Sequence, residues 1–199
     1  MGSTTHALAN NAKTVPGNAV RGLALLVALL IATPTWADGF IINGIHTRLQ
    51  ENVYLLSANL DFRPTEEVLE ALKNGVPIPV LVEIEIQRKR KWWLDEDMAT
   101  LEQRYRLQYH ALSHQYLLQN INSGAFYSFH TLNGALYALG RLQDLPLLDK
   151  QLIQPNQKYE VLIHAELEIE ALPSPLRPLA YITPAWRLDS DWYTWSLKP

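Results

Sequence analysis

The stretch Ile78-Pro79-Val80-Leu81-Val82-Glu83-Ile84-Glu85-Ile86-Gln87, with its counterpart Arg104-Tyr105-Arg106-Leu107-Gln108-Tyr109-His110-Ala111, decides how this chain is expected to fold. In the first arm Ile78, Val80, Val82, Ile84 and Ile86 take every second position. In the second, Tyr105, Leu107, Tyr109 and Ala111 alternate with Arg104, Arg106, Gln108 and His110. Period-two alternation with β-branched residues on one side marks strands with one buried face. Between the arms lie Arg88-Lys89-Arg90-Lys91-Trp92-Trp93 and an acidic segment. The stretch is therefore expected to be a long β-hairpin with a basic, Trp-bearing tip. Setting Glu85 opposite Arg106 places Ile84 opposite Leu107 and Val82 opposite Tyr109. It also pairs Ile86 with Tyr105 and Lys89 with Glu102. Opposite charges then meet on the wet face and apolar groups on the dry one. A one-residue slip would turn every apolar side chain to water, so the register is expected to be constrained, its choice coming mainly from burial. Pro77 and Pro79 lack a backbone donor, which puts that end at a sheet edge or before pairing begins.

Outward from the hairpin, strands are expected over Phe40–Leu49 and Asn52–Phe62, with Gln50-Glu51-Asn52 as their turn. Pro64-Thr65-Glu66-Glu67 opens a short helix with a Thr cap, acids in its first turn and Gly75 just past its end. Gln115–Asn120 extends the meander and Asn122-Ser123-Gly124 closes it in a turn. From Thr131 to Leu142 the period turns helical, with Leu132, Leu136, Leu139 and Leu142, together with Ala135, on one apolar face; Gly134 weakens it and Gly140 is a candidate for an earlier end. Asp144–Pro155 reads as a loop with apolar anchors. Tyr159–Ala171 alternates cleanly and reads as one long strand. A short helix is expected over Leu179–Ala185, and a terminal strand over Trp186–Leu197.

Residues Gly22–Ala32 are an apolar run preceded by Lys13 and Arg21 and by no acid, with small residues at Thr35 and Ala37. This is the layout of a secretory signal, with cleavage expected after Ala37 and a periplasmic destination. A retained anchor is the alternative, although the run falls short of the roughly 20 residues that span a bilayer. Removing residues 1–37 from the 199 leaves 162 and takes the net charge from −3 to −5, because two cations leave and no acid does. That length suits one domain, residues 38–199, with a sizeable core. The acidic balance excludes a typical nucleic-acid binder. Without cysteine, neither disulfides nor thiolate chemistry is available.

Asn74-Gly75-Val76-Pro77, Glu83-Ile84-Glu85-Ile86, Trp92-Trp93, Tyr109-His110-Ala111-Leu112, Tyr116, Thr131-Leu132 and Leu139-Gly140 follow one another in order. Pro173-Ser174-Pro175-Leu176-Arg177 and then Trp186, Trp192 and Trp195 complete the series. In that order the chain resembles an exported proteobacterial family classed as a domain of unknown function (DUF4390-like). The resemblance covers most of residues 38–199. It implies a small periplasmic domain with no assigned chemistry, encoded near a membrane sensor kinase and its response regulator. It carries no catalytic residues.

Arg88, Arg90, Lys91, Trp92 and Trp93 form the leading candidate surface, because cations beside indoles suit anionic lipid head groups or an acidic partner patch. The opposing reading is that Asp95, Glu96 and Asp97 neutralise the tip and one Trp packs inward. Trp186, Trp192 and Trp195 are a secondary aromatic candidate, a sugar- or peptide-binding shelf, against the commoner role of core closure. Glu166, Glu168 and Glu170 are expected to project from one strand face, with Glu160 further along, a row that could serve acid/base chemistry or attract calcium; a solvated sheet face is the plainer expectation. His110 and His114 have zinc-like spacing only on a helix, and here they fall on a strand and near a turn. No nucleophile elbow, phosphate loop or dinucleotide fingerprint occurs.

The expected fold is mainly β: an antiparallel sandwich or one curved sheet of about seven strands with two short helices packed on it. A two-layer α+β arrangement is the alternative. The expected role is a non-enzymatic exported interaction module needing no cofactor, accessory to an envelope signalling system. A lipid or small-molecule carrier and an unrecognised hydrolase are the competing expectations.

Overall fold

The computed structural model describes Gly2, residues 39–92 and residues 94–197. The segment expected to be a secretory signal, residues 1–37, lies outside the described residues apart from Gly2, as does Trp93. Strands β1 (Gly39–Gln50) and β2 (Val53–Arg63) form a hairpin, and helix α1 (Glu66–Lys73) follows. The long hairpin comes next, as β3 (Ile78–Lys89) and β4 (Glu96–His110), then β5 (Gln115–Asn120) and β6 (Phe126–Phe129). Helix α2 (Leu132–Leu139), β7 (Arg141–Asp149), β8 (Lys158–Leu167), helix α3 (Arg177–Ile182) and β9 (Tyr193–Leu197) complete the order. Short 3₁₀ turns occupy Lys150–Leu152, Ile169–Ala171 and Pro184–Trp186. Two antiparallel sheets result, β1-β2-β7 and β6-β5-β4-β3-β8-β9. Their inner faces contribute to one apolar core. The protein is mainly β, as its alternation required, with nine strands and three α-helices among the described residues.

The hairpin at the centre of the larger sheet keeps the expected facing and changes the expected partners. Ile78, Val80, Val82, Ile84, Ile86 and Leu107 are all buried. Leu107, however, lies opposite Ile78, while Ile84 faces Leu101 and Glu85 faces Thr100. The register is thus six residues away from the one that best matched charges. An even shift preserves which side chains point inward, so burial alone could not tell these registers apart. At the tip, Glu96 and Asp97, expected in the turn, are drawn into the ladder, with Arg88 paired to Glu96 and Gln87 to Asp97. Pro79 pairs with Arg106 on the β4 side, whereas pairing with β8 starts only at Val80. The proline sits just beyond the last β8 partner, and its carbonyl accepts from the Glu168 amide (3.1 Å).

Helix α1 is built as its sequence prescribed. Thr65 Oγ1 accepts from the Val68 amide (3.3 Å), Val68 and Leu72 face the core, and Gly75 takes a φ of 84° at the exit. Helix α2 ends at Gly140, where a Cβ would lie 2.0 Å from the Leu60 carbonyl oxygen. The Leu60 amide donates to the Gly140 carbonyl (2.7 Å), so this glycine lets α2 and β7 press onto β2.

Four further expectations are corrected. Arg141–Asp149, expected as the end of a helix followed by loop, is β7. Its register against β2 breaks twice and Asp144 has a φ of 51°, so no regular alternation was visible. Phe126–Phe129 is a sheet edge that the expected order of strands lacked. The strand from Tyr159 stops at Leu167, and the terminal strand is only Tyr193–Leu197.

Candidate interaction surfaces

At the β3–β4 tip, charge is consumed locally. Arg88 and Arg90 both reach Glu96, and Lys89 contacts Asp95 and, at 3.3 Å, Glu160 of β8. The Arg90 amide also donates to Asp95 (3.2 Å). Hydrogen bonding to Lys89 holds the Asp95 carboxyl below its ordinary value, and hydrogen bonding to Arg88 does the same for Glu96. Four cations and three acids between Arg88 and Asp97 leave one net positive charge. Lys91 lies beyond these pairs, 5.9 Å from the Trp92 ring centre. Trp92 is 85% exposed and Leu94 90%. The tip is thus an apolar knob on a charge-clamped stem, rather than a basic patch. Leu94 was not singled out by sequence, because one Leu next to an acidic run carries no periodic signal.

The C-terminal tryptophans do not form one surface. Trp186 is in the core at 5% exposure. Trp195 is half-buried between the sheets, donating from Nε1 to Thr47 Oγ1 of β1 (3.3 Å). Trp192, 44% exposed, stacks on His164 of β8 with ring centres 5.0 Å apart.

The carboxylates separate too. Glu166 remains on β8, whereas Glu168 and Glu170 lie past its end. Glu168 accepts from Arg104 Nε (3.1 Å), so Arg104 reaches across β3 to it. Burial raises the Glu166 pKa above its ordinary value; His164 opposes this, while Glu168, Asp189 and Glu83 add to it. His110 and His114 bond locally, His110 Nδ1 to Ser113 Oγ (2.9 Å) and His114 Nδ1 to Tyr109 OH (3.0 Å). Among the described residues no group of three or more His, Asp or Glu side chains is placed to hold a metal ion.

A second open surface was not foreseen. Where β6 ends the larger sheet, a cleft of about 270 Å³ opens between that sheet and the α2–β7 unit. Tyr127, which lines it, is more than half exposed, as are Tyr137 on α2 and Phe126 on the other face of β6.

These features define a two-sheet antiparallel β-domain with exposed aromatic surfaces. The chain belongs to the family described as a domain of unknown function, DUF4390, which it matches over residues 37–196. No curated protein and no solved structure matches it.

Proposed function

We propose that this domain is a non-enzymatic, exported interaction module that docks on an envelope protein through the β3–β4 tip. The exposure of Trp92 and Leu94 at the end of a hairpin anchored in the core carries this reading. Large apolar side chains left in water cost solvation that burial against a partner recovers, and Trp is enriched where interfaces draw their energy. Internal neutralisation of Arg88, Lys89 and Arg90 favours an apolar contact over a purely electrostatic one. The resemblance set out above points to a membrane sensor kinase as the partner class. Support for a carrier is weaker, because the cleft between the larger sheet and the α2–β7 unit is lined largely by the polar residues Tyr105, Asn120, Tyr127, Arg141 and Gln143 rather than being a deep apolar cavity. For a hydrolase it is weaker still, because Glu166, Glu168 and Glu170 share no strand face.

The test is site-specific photocrosslinking from position 91 in the native envelope, with the natural tip and with Trp92→Ala/Leu94→Ala. A discrete adduct with a membrane protein that the double substitution removes is the expected result. Adducts that are equal in both proteins would refute docking by the tip. Sedimentation with anionic vesicles, run alongside, separates a lipid contact from a protein one.

A further inference from the structure

We propose that the cleft beside β6 is a second binding site, for an extended peptide bearing an acidic side chain. Its walls come from both layers. Tyr105, Leu118, Asn120 and Tyr127 descend from β4, β5 and β6, and Arg141 and Gln143 rise from β7. The register sets Tyr105 opposite Asn120 and Leu118 opposite Tyr127, so these four side chains share the inner face of the sheet.

Three observations fix the ligand class. First, β6 pairs with β5 alone, so one side of its backbone is unpaired among the described residues. An edge of this kind accepts an added strand by main-chain hydrogen bonding. Second, the lining contains a guanidinium, two phenols and two carboxamides and contains no acid. Arg141 bonds to the Tyr137 hydroxyl and lies 4.9 Å from that ring, and it has no carboxylate partner among the described residues. Arg141 also borders the adjoining pocket that holds Asp61, but that carboxylate is paired with Arg63 at 2.8 Å, so the Arg141 guanidinium is open to a carboxylate from outside. Third, the cleft holds about 270 Å³, and alternate residues of an added strand point to the same face, so every second side chain of the peptide would be directed toward it. The site is separate from the tip and does not depend on the role proposed for it.

The probes are acetyl-Thr-Val-Glu-Val-Thr-amide, its Gln counterpart, and acetate, titrated into isotopically labelled protein and followed by NMR. The Glu peptide should shift the amides of Phe126–Phe129 together with the Arg141 side chain. It should bind about tenfold more tightly than the Gln peptide, the factor carried by about 1.4 kcal/mol. Arg141→Gln, an exposed substitution, should erase that difference while the Gln peptide binds as before. Ser128→Pro should weaken both peptides. If it unfolds the edge, N-methylation of the probe backbone tests the same hydrogen bonds without touching the protein. Absence of shifts with either peptide, or equal affinity for Glu and Gln peptides, overturns the proposal. Acetate reproducing the whole Arg141 effect with no response along β6 would also overturn it, leaving a simple carboxylate site.

Discussion

Trp92 and Trp186 have the same side chain in opposite circumstances. Trp186 sits on a 3₁₀ turn with its ring enclosed, at 5% exposure, while Trp92 stands 85% exposed with Lys91 as its neighbour. Trp195 falls between them, half-buried and tied to Thr47 across the layers. An indole whose ring and N–H are both satisfied by its own chain contributes to the fold. One that the fold leaves unused is available to something else. Ranking aromatic residues by their unmet contacts therefore selects the tip over the C-terminal strand.

The largest expected effect comes from the enclosed indole. Trp186→Ala should destabilise the domain by about 3–5 kcal/mol, the usual range for emptying a large aromatic site. Urea denaturation measures it, and a loss near zero would break the contrast. Next, Trp195→Phe keeps most of the apolar area and removes the bond to Thr47, so a loss of about 1 kcal/mol is expected. The pairing Trp195→Phe with Thr47→Val in a double-mutant cycle isolates that link between sheets.

Smaller effects follow from titration, and the two regions should respond in opposite senses. Asp95 and Glu96 have depressed folded pKa values, so their contribution is present above the ordinary values of 3.8 and 4.5 and is lost as pH falls through the folded ones. Both are solvent-screened, which keeps the change small. Glu166 has a raised folded pKa, so its ionisation costs stability as pH rises from 4.5 through the folded value. Stability curves between pH 3 and 7 should show Glu166→Gln flattening the slope above pH 4.5. Glu96→Gln should flatten it only below that point. The smallest effect belongs to the tip: Trp92→Ala should leave stability within about 0.5 kcal/mol of the natural chain, as expected for a surface position. A loss of several kcal/mol by the same urea assay would mean that Trp92 is structural after all.

Regular elements were the legible ones. The face of β3 and β8, the Thr65 cap and the Gly75 exit each follow from a local rule. Illegibility began where a local rule was broken. The bulges of β7 hid a strand inside an apparent loop, and the shortness of β6 hid an edge. Of the tip, the cations and Trp92 were plain in the sequence, and so was the competing proposal that nearby acids neutralise them. Which cation meets which acid depended on the register, and burial, expected to choose it, does not separate registers an even number of residues apart.

By itself the sequence determined which side of each long strand is buried, because alternation is a property of consecutive residues. Tertiary structure alone decided the partners, the strand order and which indoles stay in water. A six-residue shift leaves alternation unchanged, and enclosure is set by residues as distant as Thr47 and Trp195.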